Sequence, residues 1–216
     1  MLFSKSITLD DEEVTRAAVP ADVEARRSAD LAFIEKLKEG DEAAFETLVD
    51  RYSGDIHALL YRLTENAEEA ADLTQDTFLR AVRAIRSFRG ESELKTWLFR
   101  IAINESRNRH RWWKRRRRNE TISLDATIGS SDQRVEDVLS DDSISPEESA
   151  LMREREQALS LALLELAETY REAVVLCDVE GLTYEETAEA LDIGIGTVKS
   201  RISRGRHELR RKLKDL

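Results

Sequence analysis

Residues 181–213 read GLTYEETAEALDIGIGTVKSRISRGRHELRRKL. This pattern restricts that part of the chain to two short helices joined by a tight turn. Thr183 and Glu186 stand three apart, the spacing of a capping box, which predicts a helix starting at Tyr184. Ala188 and Leu191 give that helix an apolar side. The segment Asp192-Ile193-Gly194-Ile195-Gly196 interrupts it, and the two glycines are expected to permit the turn. A second helix is predicted over about 196–213. From Lys199 to Lys214 it carries eight bases against Glu208 alone, about +7, in a chain whose formal net charge is −10. A helix so charged repels itself unless a polyanion lies near it. In a helix-turn-helix the second helix enters the major groove of DNA. A solvated terminal helix is the blander reading of the same residues.

The rest of the chain extends the helical pattern. Only eight Gly and two Pro interrupt 216 residues, and 36% of the chain is charged. No sustained period-two alternation calls for a strand, so the expected fold class is all-α, with two small helical domains. Charge is strongly partitioned. Residues 100–118 hold nine bases against Glu105, about +8, and residues 119–150 hold nine acids against Arg134, about −8. Local charge, not the acidic average, decides where a polyanion docks. Cys177 is the single cysteine, so no internal disulfide forms and a reducing cytoplasm is the expected location. The N-terminus lacks a basic start followed by a long apolar run, and no stretch approaches the ~20 apolar residues of a membrane span.

The expected organisation is an acidic extension over 1–27, a helical domain over 28–118, an acidic linker over 119–145 and a second helical domain over 146–216. In the first domain, helices are predicted near 29–39, from an Asp41 cap burying Ala44, Phe45 and Leu48, over 55–63, over 66–85 and over 94–113. Ser145-Pro146-Glu147-Glu148 marks a restart, because proline suits the first helical position and acids suit the first turn. Helices then follow over 146–167, 169–180, 184–191 and 196–213.

On the 66–85 helix, a rotation of about 100° per residue places Ala71, Gln75, Phe78, Val82 and Ile85 on one apolar-dominated face. Asp72, Leu73, Asp76, Arg80 and Arg83 then point elsewhere. An outward Leu73 between two acids suggests a partner contact, although a lone exposed leucine is commonplace. On the next helix Arg100, Asn104, Arg107, Arg111 and Lys114 form one polar stripe, opposite Leu94, Trp97, Leu98, Ile101 and Ala102. That cationic ridge can follow a phosphate backbone. Trp112 and Trp113 precede a run of five bases, an arrangement suited to unstacked bases. Packing of Trp113 with a solvated arginine run is the alternative.

Taken together, these segments resemble the extracytoplasmic-function (group IV, ECF) sigma factors of the sigma-70 family, most closely the sigma-E type. The resemblance covers roughly 29–118 and 146–212. Asp72-Leu73-Thr74-Gln75-Asp76-Thr77-Phe78 is similar to the region 2.2 segment. Phe88-Arg89-Gly90-Glu91-Ser92 with Thr96-Trp97-Leu98 is similar to region 2.3. Arg100–Arg111 resembles the region 2.4 helix, and Tyr184–Ser203 resembles the region 4.2 helix-turn-helix. The resemblance implies a non-enzymatic subunit that directs transcription initiation. It would bind core RNA polymerase, through the β′ clamp helices and the β subunit, and recognise the −35 and −10 elements of promoter DNA under the control of an anti-sigma factor.

Residue by residue, the resemblance implies a polymerase-binding set of Asp72, Leu73, Gln75, Asp76, Phe78 and Leu79, with Phe78 mainly in the core beneath. It implies a −10 set of Arg89, Ser92, Lys95, Arg100, Asn104, Arg107, Asn108, Arg111, Trp112 and Lys114. The loop from Arg89 to Thr96 would capture a flipped base, whose lost stacking costs a few kcal/mol. The −35 set is Tyr184, Gly196, Thr197, Lys199, Ser200, Arg201, Arg204 and Arg206. The acidic linker would mimic nucleic acid on its way toward the active-site and RNA-exit channels. No cofactor, metal or membrane insertion is expected.

Three positions depart from the commonest family pattern: Gly194 and Ala167 where proline is frequent, and Thr187 where Ile is usual, which weakens one helix-helix contact. A stand-alone helix-turn-helix regulator is the main alternative, but no dimerisation or sensor domain is left over for it. An enzyme is disfavoured, because His57, His110 and His207 lie far apart and Cys177 has no cysteine partner. A purely protein-binding scaffold would leave two basic patches unexplained.

Overall fold

A computed structural model describes residues 31–119 and 158–213, all helices, turns and short connections. The extension at 1–27, the linker at 119–145 (from residue 120 onward) and the restart at Pro146 lie outside the described residues. The first unit contains α1 (31–39), α2 (Glu42–Thr64), α3 (Ala67–Ala84) and α4 (Leu94–Asn119), with a single 3₁₀ turn at Ile85–Ser87. The second contains α5 (158–164), α6 (Glu168–Val174) running into a π turn at Val175–Val179, α7 (Tyr184–Leu191) and α8 (Ile195–Leu213).

Caps and apolar stripes set these boundaries. Gly40 takes φ +84 and ends α1. The Asp41 carboxylate then accepts the Ala43 and Ala44 N–H groups to start α2. Two helices were expected between residues 41 and 63, but one unbroken helix forms. The buried stripe Ala44, Leu48, Ile56, Leu59, Leu60 and Leu63 runs past Gly54, whose intrinsic penalty of about 1 kcal/mol is smaller than the gain from that continuous burial. Asn66 caps α3 by accepting the Glu69 N–H, while its own N–H donates to the Thr64 hydroxyl. The arm that Glu69 would supply in a capping box is thus taken by Thr64.

The buried face of α3 differs from the expected one. It consists of Ala70, Leu73, Thr77, Phe78 and Ala81, whereas Ala71, Gln75 and Val82 are exposed. Leu73 is 1% exposed, so it points inward and not toward a partner. The stripe is rotated by about one residue, because Thr77 satisfies its hydroxyl on the Leu73 carbonyl and so counts as core. Ala70 and Ala81 have the small side chains that let α2 and α4 approach. On α4, Leu94, Leu98, Phe99, Ala102 and Ile103 are buried, and Trp97 is half-buried against Phe88 at 5.1 Å.

In the second unit the Arg171 guanidinium donates to the carbonyls of Leu163, Leu164 and Leu166. It thereby closes the C-terminal end of α5 without a glycine. The same side chain donates to the Leu63 carbonyl at the end of α2, so it joins the two units. The capping box of α7 forms as expected: Thr183 accepts the Glu186 N–H, and the Glu186 carboxylate accepts the Thr183 N–H. The turn after α7 is made differently. Asp192, not a glycine, adopts the left-handed conformation (φ 57), and Gly196 already lies inside α8. A short polar side chain tolerates that conformation, so glycine is not required. Gly205 is needed for another reason. A Cβ there would meet Val174 Cγ2 at 2.6 Å, so α8 can cross α6 only with hydrogen at that position. Thr187 is wholly buried, and its hydroxyl has no partner among the described residues.

Candidate nucleic-acid interface

The interface candidates lie on α8, α4, the loop between the 3₁₀ turn and α4, and the outer face of α3. On α8, Val198, Ile202, Gly205 and Leu209 are buried, which turns the opposite side outward. Gly196, Thr197, Lys199 and Ser200 are exposed in its first turns, and Arg201 is half-buried. The Lys199 ammonium sits 5.8 Å from the centroid of the Tyr184 ring, which joins the first helix of the motif to the second.

Further along, three of the bases are engaged within their own unit. Arg204 reaches the Tyr170 hydroxyl at 3.4 Å. The Arg206 guanidinium meets both Asp178 oxygens at 3.0 and 2.5 Å, and that pairing holds it above its ordinary pKa. Lys212 pairs with Glu165. Arg206, expected among the −35 contacts, is therefore half-buried in an internal ion pair, while Lys199 and Arg201 stand in the first two turns of α8. Tyr170 and Asp178 were not anticipated. No spacing rule links them to α8, because the contact arises from helix crossing.

On α4 the stripe is present but unevenly available. Asn104, Asn108, Arg111, Trp112 and Lys114 are exposed. Arg111 donates to the Asn108 side chain at 2.6 Å. Trp112 and Trp113 are 45% and 46% exposed and meet edge-on at 5.0 Å, so neither packs into the core. Arg107 behaves otherwise. Its Nε and Nη2 each donate to a Glu172 oxygen at 2.6 Å, and the Glu172 side chain is 3% exposed. Hydrogen bonding to Glu172 holds the Arg107 guanidinium above its ordinary pKa against the opposing pull of burial. Arg100 lies 3.9 Å from Asp192, in the turn of the helix-turn-helix. A third ion pair, between Arg62 and Glu180 at 2.8 Å, links α2 to the end of the π turn. Burial pushes the Glu180 carboxyl up, and Arg62 only partly offsets it. The sequence gives one clue to this role for Glu172: an acid directly before the apolar run Ala173-Val174-Val175-Leu176.

The loop before α4 is pinned by the Phe88–Trp97 contact and by Gly90 at φ +72. Arg89 is well exposed, with Glu91 at 3.9 Å. Ser92 is half-buried. Lys95, expected to face DNA, pairs with Asp55 at 2.7 Å and lies over the Phe99 ring.

On α3, Asp72, Gln75, Asp76 and Leu79 are exposed, and Leu79 is 55% exposed beside Val82 at 46%. Of the expected polymerase contacts, Leu73 and Phe78 are buried and so support this face from beneath. Arg109 of α4 donates to Asp76 at 3.0 Å and approaches Asp72 at 4.0 Å. A groove of about 670 Å³ between α3 and α4, lined by residues including Asp76, Glu105, Arg109 and Trp112, places the two surfaces side by side. Among the described residues no helix is long and apolar enough to cross a membrane.

The sequence model of Sigma-70 region 2 matches residues 48–118, and that of Sigma-70, region 4 matches residues 156–209. The chain is 37% identical to the ECF RNA polymerase sigma-E factor of Haemophilus influenzae over 193 residues, 89% of this chain and 99% of that one. It is 36% identical to the ECF RNA polymerase sigma factor SigW of Bacillus subtilis, over 85% of this chain and 96% of that one. Its fold is similar to the sigma factor RpoE of Bartonella quintana, solved with the anti-sigma factor NepR. The TM-score is 0.60 and the identity 27%, over 79% of this chain and 96% of that one. Two helical units, each with a basic helix, and these matches together place the chain in the ECF group of the sigma-70 family of RNA polymerase sigma factors.

Proposed function

We propose that this chain directs RNA polymerase to a discrete promoter set by holding DNA at two places and the enzyme at a third. The observation that carries the reading is the pair of basic helices on separate units, α4 within the region 2 match and α8 within the region 4 match. The first turns of α8, with Lys199, Ser200 and Arg201, read the −35 duplex in the major groove. The exposed part of the α4 stripe, with Trp112 beside it, meets the −10 element as it opens, where bases can stack on the ring. The outer face of α3, with Asp72, Gln75, Asp76 and Leu79, grips the β′ clamp helices of core polymerase. The chain supplies binding free energy and no chemistry of its own, and it works in the cytoplasm. An anti-sigma factor controls it, a reading supported by the Bartonella quintana complex. In transcription from a promoter library, core polymerase plus this protein should initiate at a discrete set of sites. Initiation no more selective than that of core alone would refute the reading.

A further inference from the structure

The groove between α3 and α4 is lined in part by Glu105 and Arg115, two side chains that neither the promoter reading nor the polymerase reading uses. Its volume of about 670 Å³ lies within the range of roughly 300–1,000 Å³ common to small-molecule sites. Buried Leu73 lines it from α3, and the Asp76–Arg109 pair at 3.0 Å ties its two helices together. Along α4 the lining residues Glu105, Asn108, Trp112 and Arg115 fall at i, i+3, i+7 and i+10, on one face of the helix. A rise of about 1.5 Å per residue spreads them over roughly 15 Å, room for a mononucleotide.

The hydrogen-bonding capacity left open along that face has a definite pattern. Glu105 has Arg80 at 3.7 Å, too far for a hydrogen bond, so both its oxygens are open acceptors among the described residues. The Asn108 Oδ1 accepts from Arg111 at 2.6 Å, and Arg111 also donates to the Arg107 carbonyl at 3.3 Å. That commits the Asn108 oxygen and leaves its NH2 group as the available donor. Trp112 is 45% exposed, with the Arg116 guanidinium 5.1 Å from its ring centroid. Arg115 is exposed and has no partner among the described residues. The complement of these groups is a flat ring with two adjacent N–H donors beside a carbonyl, carrying an anion. Guanine has that edge, with N1–H and N2–H2 next to O6. Adenine and cytosine each present a bare ring nitrogen where the second donor is required, and thymine has one N–H between two carbonyls.

We propose that the α3–α4 groove binds a guanine nucleotide, free or within a single strand. The base stacks on Trp112, its N1–H and N2–H2 donate to Glu105, its O6 accepts from Asn108, and its phosphate meets Arg115. Stacking on Trp112 favours any base, whereas Glu105 selects, because a base with one donor leaves a carboxylate oxygen unpaired in a side chain only 22% exposed. Binding here needs neither polymerase nor a promoter, so its failure leaves the promoter reading untouched.

Calorimetric titration of the full chain with GMP, AMP and guanosine tests the site. GMP should bind saturably and roughly tenfold or more tighter than AMP. Glu105→Gln keeps the shape but replaces one acceptor with a donor. It should bring GMP to within about twofold of AMP and leave AMP unchanged. Trp112→Leu should weaken both nucleotides, and Arg115→Ala should weaken GMP but not guanosine, which lacks the phosphate. Circular dichroism should stay helical throughout. A short oligothymidylate with one central dG, compared with the same strand carrying dA, separates the two sources. A preference for GMP without one for the dG strand assigns the groove to a free nucleotide. A preference confined to the strand assigns it to a base of single-stranded nucleic acid. Preference for guanine in neither form, or a preference that survives Glu105→Gln, overturns the site.

Discussion

The two basic helices solve the same electrostatic problem in different ways. On α8 the partners of the bases come from the same unit: Tyr170 for Arg204, Asp178 for Arg206 and Glu165 for Lys212. On α4 the middle of the stripe is paired across the units, with Glu172 and Asp192, and its far side is paired with Asp76 on α3. The local pairs of α8 persist however the units are arranged, so the residues it offers to DNA are fixed by its own fold. On α4 two of the stripe's arginines are instead paired with residues of the second unit.

The harshest way to break that comparison is to remove the platform of α8. Gly205→Val drives side-chain atoms into Val174 and should destabilise the second unit by about 1–3 kcal/mol or more. Denaturant melts should show this loss in the second unit, and −35 binding should fall with it. Asp76→Arg comes next. It places like charge against Arg109 and reverses the acidic face of α3, so affinity for core polymerase should drop by roughly tenfold, about 1.4 kcal/mol, with helical content unchanged. Unaltered affinity would assign this face another role. Within α8, Arg211→Ala should weaken all sequences alike and lower the salt slope of binding by about one unit. Arg206→Ala should instead register chiefly as lost stability, since its guanidinium is engaged by Asp178. The smallest effect is expected at Thr187→Val, which removes a buried hydroxyl without a partner and should stabilise the second unit by about 1 kcal/mol in a denaturant melt.

What could be read from the sequence divides along physical lines. Signals carried by adjacent residues were legible: the Thr183–Glu186 capping box, the Asp41 cap and the basic runs. Turns that depend on a non-glycine residue in the left-handed region were not. Glu65 and Asp192 close α2 and α7 where composition pointed elsewhere or to glycine. The α3 face was rotated because Thr77 reads as polar in sequence yet satisfies itself on Leu73. The pairs Arg107–Glu172 and Arg62–Glu180 were invisible because their members are 65 and 118 residues apart, and only the docking of the units unites them. Of the candidate site residues, the stripe on α4 and the first turns of α8 could be placed on their helices from periodicity. Whether each side chain is free or engaged could not, since that depends on the crossing helix.

The central claim is that α8 and α4 read separate promoter elements. It is tested most directly by holoenzyme transcription with Arg201→Ala and Asn104→Ala on promoters altered at one element at a time. Arg201→Ala should reduce discrimination at one −35 position, a loss of about 1–3 kcal/mol, and leave −10 discrimination intact. Asn104→Ala should do the reverse. If both substitutions weaken initiation equally whichever element is altered, the two helices only anchor DNA and the account is wrong.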